Sequence, residues 1–232
     1  MIHQLIFAHP KPGMSEQDFQ DYWVNLHAVR YAGKIPQIRQ YTVDTRVPFG
    51  PEPDDPLWSG IAEIWVDNDE DQLASLQSKE YIEGARPDEP NWAAFWRTLV
   101  LDTEPHVLLE GQEYTVDEPD TIKLVVLAKR RSGTDLSYFR KRSLESFGQK
   151  TAAVPGLRRY LQCHARDGMY AVSEAPLDVA HLLTFDGPEA LTDAARTSEY
   201  TAAMQDLRTF TEHRYLHTMA VREHWIIPPG TR

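Results

Sequence analysis

Histidine is the side chain best suited to moving a proton near neutral pH, and His27 stands among neighbours that could direct one. It follows Trp23 by four residues and Tyr22 by five, so on a helix Trp23 and His27 share a face while Tyr22 is turned by about 100°. Arg39 and Tyr41 lie two apart in a stretch that reads as a strand and are expected on one face. There the arginine could clamp a carboxylate with two hydrogen bonds and the tyrosine could share a proton. Glu63 alternates in step with Ile61 and Trp65, and a glutamate buried among apolar walls has a raised pKa and can act as acid or base. The chemistry of this set is proton transfer, with His27, Tyr41 and Glu63 as catalytic candidates and Tyr22, Trp23, Arg39 and Trp65 as substrate-binding ones. His3 and His9, in phase with Leu5 and Phe7, are further candidates.

Other constellations are weaker. His213 and His217 have helical i, i+4 spacing, but the intervening Arg-Tyr-Leu lacks the glutamate of a zincin and no third ligand is obvious, so no metal site is expected. His181 and His224 take no assigned role. Gly-x-Ser-x-Gly, Gly-x-Gly-x-x-Gly and P-loop patterns do not occur, which weakens hydrolase, dinucleotide and nucleotide readings. Cys163 is the sole cysteine, which excludes an internal disulfide and a thiolate metal centre within one chain and fits a reducing, cytoplasmic setting. With 24 Lys and Arg against 35 Asp and Glu, the net charge of −11 argues against nucleic acid or an anionic membrane as partner. The first residues carry no basic leader and reach Pro10 after a short apolar stretch, unlike a signal peptide. The longest purely apolar run, Leu124 to Ala128, is far short of the roughly 20 residues a membrane helix needs, so a soluble protein is expected.

The elements that must position these residues come in two copies. Pro36 and Tyr41 match Pro155 and Tyr160, Asp67 matches Asp186, and Lys79-Glu80-Tyr81 answers Ser198-Glu199-Tyr200, each pair 119 apart, whereas Phe19 and Phe139 are 120 apart. Within each copy, branched apolar stretches at 2–9 and 121–129 read as strands. A helix follows, starting at Ser15 in the first copy, with an acidic first turn and Phe19, Tyr22, Trp23 and Leu26 at helical spacing, and at about Thr134 in the second. Strands after Pro36 and after Pro155-Gly156 end near Thr45 and His164; third strands span 59–67 and 178–186, and acidic helices begin at 69 and 188. A further helix is expected around Trp92, Phe95 and Trp96, then a last strand at 105–114, with 218–227 as its counterpart.

The order β-α-β-β-α-β is that of a ferredoxin-like unit, so the expected fold is α+β: tandem units, 1–114 and 121–232, forming an intramolecular dimeric α/β barrel with a pocket enclosed by the sheet faces that the helices leave bare. Gly111 to Asp120 reads as the linker, and the four-proline stretch Pro48 to Pro56 as a rigid loop near the pocket mouth.

Lys11-Pro12-Gly13-Met14-Ser15, Phe19, Tyr22-Trp23, His27, Pro36, Tyr41 and Gly60-Ile61-Ala62-Glu63-Ile64-Trp65 together resemble the EthD family of dimeric α/β barrel proteins. That family is usually a single copy that dimerises, so this chain is similar to a fused pair, well matched over 2–110 and weakly over 121–227. Where the resemblance implies chemistry, the second copy departs from it: Arg142-Ser143 replaces Tyr22-Trp23, Phe147 replaces His27 and Leu182 replaces Glu63. One working pocket is therefore expected, in the first copy. The superfamily includes cofactor-free lyases, cyclases, isomerases and monooxygenases, and fold does not choose among them. The leading expectation is a cofactor-independent lyase, a decarboxylase or dehydratase of a phenolic or polyketide-like aromatic acid. The alternatives are an isomerase, a cyclase, a cofactor-free monooxygenase or a non-catalytic ligand-binding protein. The expected partner is a small aromatic substrate, and a homodimer of the fused chain is compatible with the sequence.

Overall fold

Branched side chains crowd the helical backbone but fit a pleated one, and the strands form close to where their apolar spacing places them. The computed structural model describes residues 1–51, 53, 55–111 and 121–232, and these divide into two units, Met1–Asp102 with Glu223–Arg232 and Thr103–Arg222. In the first unit β3 (Gly60–Val66) pairs antiparallel with both β1 (Ile2–Ala8) and β2 (Ile38–Val47). In the second, β7 (Val179–Phe185) lies between β5 (Ile122–Ala128) and β6 (Leu157–Ala165) in the same way. The division by contacts thus falls inside β4 (Leu99–Leu109) and inside β8 (His217–Ile227), rather than in the segment between the sequence repeats. Beyond Gly111, the expected linker lies outside the described residues.

The helices repeat in detail. Ser15 accepts a hydrogen bond from the Asp18 amide and starts α1 (Glu16–Tyr22), which runs without a break through a π-helical turn, Trp23–His27, into α2 (Ala28–Arg30). Asp135 caps α5 (Leu136–Arg142), which continues through a π turn at Ser143–Phe147 into α6 (Gly148–Ala152). After β3 comes α3 (Asp69–Gln77), capped by Asn68, and after β7 comes α7 (Pro188–Ala195).

The last helices differ by one residue. In the first unit a π turn, Glu80–Ala85, leads into α4 (Arg86–Asp88), whereas the second has the regular α8 (Ser198–Phe210). A π turn absorbs one inserted residue. Accordingly the β-bridges that follow, Pro10 with Ala93 and Arg130 with Thr211, are 120 apart on one side and 118 on the other. The helix expected around Trp92 ends instead at Asp88, because Pro90 has no N–H to donate into a further turn. Only 3₁₀ turns follow, at Glu89–Asn91 and Phe95–Arg97, and the last strand starts at Leu99, earlier than the spacing suggests.

Candidate active site

Successive residues of a strand face opposite ways, and this decides which candidates can meet. Ile6 of β1 and Ala62 and Ile64 of β3 point toward the helices and, with Trp23, His27, Tyr41 and Trp92, line a cavity of about 500 Å³ inside the first unit. It lies between the sheet and its own helices, not on the bare face where the sequence suggested a pocket.

His27 occupies the end of the π turn and is buried. Its Nδ1 is 2.8 Å from Asp88 Oδ2, and Asp88 Oδ1 accepts from Tyr22 OH at 2.8 Å and from Asn91 Nδ2 at 3.0 Å. Burial alone would raise the Asp88 pKa, but the Asn91, His27 and Tyr22 donors outweigh it and hold the carboxyl below its ordinary value. Burial lowers the His27 pKa, against the opposing pull of Asp88, so the imidazole is neutral at pH 7. An ionised carboxylate can only accept, so Nδ1 carries the proton and Nε2 is the free basic nitrogen. Tyr22 is pushed up to about 12, first by burial and then by the Asp88 carboxylate. It is therefore a fixed donor and not a base.

Tyr41 is fully buried, its pKa raised by desolvation, and its hydroxyl is hydrogen-bonded by Trp23, whose only donor is the indole N–H. Trp92 closes the group. Its ring centroid lies 4.7 Å from that of His27 and 4.8 Å from that of Trp23, and its carbonyl accepts from the Lys11 amide at 2.9 Å.

The structure thus brings together His27, Trp23 and Tyr41, with Tyr22 joined through Asp88. Arg39, Glu63 and Trp65 lie elsewhere. The register between β2 and β3 shifts between Ile38 and Gln40, so Arg39 sits in a bulge and no longer shares a face with Tyr41. Arg39 turns to Asp67 at 2.6 Å, half-exposed. Glu63 faces away from the cavity and is bound to His3 Nε2 at 2.9 Å, while Trp65 stacks on His3 with centroids 4.4 Å apart. Carboxylate oxygens of Asp44, Glu63 and Glu223 lie within 4.8 Å of one another, the one group of three possible metal ligands among the described residues, and it excludes His27. The proline-rich loop, apart from residues 52 and 54, which lie outside the described residues, docks through Asp55 on His9 and Arg97 and through the Pro56 carbonyl on Arg97, and none of it lines the cavity.

Asp88 was not visible in the sequence. A constant offset of 119 would set it against Leu207, whereas the slip at the Glu80–Ala85 π turn sets it against Asp206, 118 residues on, and sets Trp92 against Phe210. The only local signal is an aspartate between Pro87 and Pro90. In the second unit Asp206 receives Arg142 at 3.2 Å and Lys150 at 2.8 Å, Phe147 stands where His27 does, and Phe147 and Phe210 have their centroids 6.1 Å apart.

The EthD domain family model matches residues 11–95, which contain all of the His27–Asp88 assembly. Residues 11–95 are thus similar to an EthD domain. No curated protein sequence matches the chain. Among solved structures, an anthrone oxidase-like protein covers 100% of the chain and 96% of its own length, at 14% identity and a TM-score of 0.64. A candidate monooxygenase of Fusobacterium nucleatum covers 96% and 91% at 8% identity and a TM-score of 0.63, and one from Lactobacillus acidophilus covers 96% and 93% at 10% and 0.58. At these identities the likeness is one of fold: the α+β dimeric α/β barrel class, here with both ferredoxin-like units in one chain, the EthD-like one first.

Proposed function

We propose that the EthD domain is a proton-transfer enzyme for a planar, largely apolar phenol or enolisable ketone, with His27 Nε2 as general base. The observation that carries this is the buried His27–Asp88 pair, 2.8 Å apart, at the wall of a mainly apolar cavity of about 500 Å³. Asp88 fixes the tautomer and stabilises the imidazolium as the proton arrives, a role that contributes about 10²- to 10⁴-fold in rate. Tyr22 and Asn91 hold Asp88 in place, and the Trp23–Tyr41 contact stiffens the same wall.

Proton removal leaves an electron-rich phenolate or enolate. A decarboxylase or dehydratase of an aromatic acid would need a cation for the carboxylate, and Arg39 faces Asp67 while Arg86, which does line the cavity, is paired with Glu89. That favours a substrate without a carboxylate, and with it the monooxygenase reading. The carbanion would take up O₂, one oxygen becoming a new carbonyl at the deprotonated carbon and the other leaving as water. The structural likeness to an anthrone oxidase-like protein supports this reading.

The test is to incubate purified protein, with and without chelator, with phenols, anthrone-type ketones and aromatic acids, following oxygen uptake and product mass for wild type and His27→Ala. Oxygen uptake that depends on His27, with gain of one oxygen and loss of two hydrogens, is expected. Loss of CO₂ without oxygen uptake would restore the lyase. Saturable binding with no turnover of any compound would make the domain a binding protein.

A further inference from the structure

Trp92 is 3% exposed and lines the cavity, yet its indole N–H meets no acceptor among the described residues. A buried donor without a partner is a net cost to folding, and native structures hold few of them. The ring cannot drift to find one. The Lys11 amide binds the Trp92 carbonyl at 2.9 Å, the Trp92 amide binds Glu89 at 3.2 Å, and Phe19, Trp23 and His27 pack on the ring. Trp23, the other indole of this wall, has its N–H satisfied by Tyr41. So two neighbouring rings of the cavity wall carry a basic nitrogen, His27 Nε2, and an unanswered N–H. The second unit has neither: Phe147 and Phe210 stand at the two positions, and both polar groups are absent together.

We propose that Trp92 is the oxygen-binding donor of the cavity: its N–H holds the phenol or enol oxygen whose proton His27 Nε2 removes. This rests on the proton-transfer reading above and names the substrate feature that the site selects, a hydroxyl or enolic oxygen on a planar apolar frame. In the step, the O–H bond breaks, the proton goes to Nε2, the electron pair stays on oxygen, and the oxyanion so formed is bound by the Trp92 N–H and by the new imidazolium. A preorganised donor aimed at a developing oxyanion in a dry site is among the stronger contributions a protein can make.

The probe is 6-cyano-2-naphthol, a bicyclic phenol whose ionisation is visible in its absorbance, compared with 2-cyanonaphthalene, which lacks the hydroxyl. Wild type is expected to bind the naphthol more tightly and to ionise it at lower pH than water does. Trp92→Phe, which the second unit shows to be a tolerated ring at this place, should bind 2-cyanonaphthalene unchanged. It should lose about tenfold or more in affinity for the naphtholate, as removal of a hydrogen bond to a charged group does. If the variant fails to fold, the Trp92 indole ¹⁵N–¹H resonance of wild type serves instead, and should move downfield with the naphthol and not with 2-cyanonaphthalene. Equal preference in wild type and Trp92→Phe, an indole resonance indifferent to the hydroxyl, or no binding of either probe would overturn the proposal. Should His27→Ala ionise the bound naphthol as wild type does while Trp92→Phe does not, the proton-transfer reading falls and the Trp92 assignment stands.

Discussion

Replacing Asp88 by asparagine tests the site through the count of its hydrogen bonds. Asp88 Oδ1 accepts from Tyr22 and Asn91, and Oδ2 accepts from His27. An amide has one oxygen, and in Asp88→Asn the two donors on one side outbid the single donor on the other. The amide nitrogen then faces His27 Nδ1, which must become the acceptor, and the ring proton moves to Nε2. The base is lost through its tautomer, and kcat/KM should fall by about 10² to 10⁴. The imidazolium also loses a charge-assisted hydrogen bond, of a kind that contributes about 1.5 to 3 kcal/mol, and the His27 pKa falls further. The sign is therefore unusual. Activity of wild type rises with pH through an apparent pKa below 6.5 and then levels, and the residual activity of Asp88→Asn should level at still lower pH, because the Asp88 contribution that raises the His27 pKa is gone. Removing one competing donor should partly reverse the flip, so Tyr22→Phe in the Asp88→Asn background should raise activity. Steady-state kinetics from pH 4 to 9 on about the same substrate panel would decide it. An acid limb displaced upward, or a double variant weaker than Asp88→Asn alone, would refute the tautomer reasoning.

Three further outcomes follow from the same geometry. Tyr22→Phe alone leaves Asp88 with one donor fewer, so its charge acts more fully on His27; kcat/KM should drop less than about tenfold while the acid limb moves to higher pH, opposite to Asp88→Asn. Gly60→Ala should destabilise the first unit by about 1 to 3 kcal/mol in a denaturant titration, and slow turnover as well, because the new Cβ would stand 2.9 Å from the Asp44 carbonyl oxygen and 2.9 Å from the Trp23 ring. In the second unit burial holds His164 down to about 3 and His181 well below its ordinary value. Both stay neutral when folded and take up protons when unfolded, so their full contribution is present above pH 6.5 and is lost as pH falls below it, for His164 by about 2 kcal/mol at pH 5. A melting temperature that falls over this window in wild type but is flatter in a His164→Gln, His181→Gln double variant is the expected result; an identical slope in both would rule out these histidines as its source.

Much of the scaffold was legible because it depends on local spacing. Ser15 with an acidic turn after it, Phe19 and Trp23 on one stripe, and the alternation along 60–66 each specify an element without reference to the rest of the chain. The site was less legible because irregularities that periodicity cannot register decide it. The bulge at Arg39 reverses one side chain, and the Glu80–Ala85 π turn shifts the repeat by one. The first removes a candidate from the cavity, and the second hides Asp88. Glu63 shows a third limit: alternation says that Ile61, Glu63 and Trp65 share a face, but not which side of the sheet that is.

The two units also differ in the company that a shared carboxylate keeps. The carboxylate is common to both, Asp88 in one and Asp206 in the other, so the aspartate alone does not make a base. What differs is its company. Arg142 and Lys150 neutralise Asp206 directly, and the side chains nearby are Phe147, Phe210 and a buried chain of Ser143, Gln162, Tyr160 and His181. Asp88 instead meets only neutral donors, so its charge remains available to the imidazole. Such a charge, left uncompensated until a proton arrives, costs folding free energy, and the second unit avoids that cost by pairing Asp206 with Arg142 and Lys150. The functional difference between the units therefore lies in whether the aspartate has a permanent cation or one that forms only when His27 is protonated.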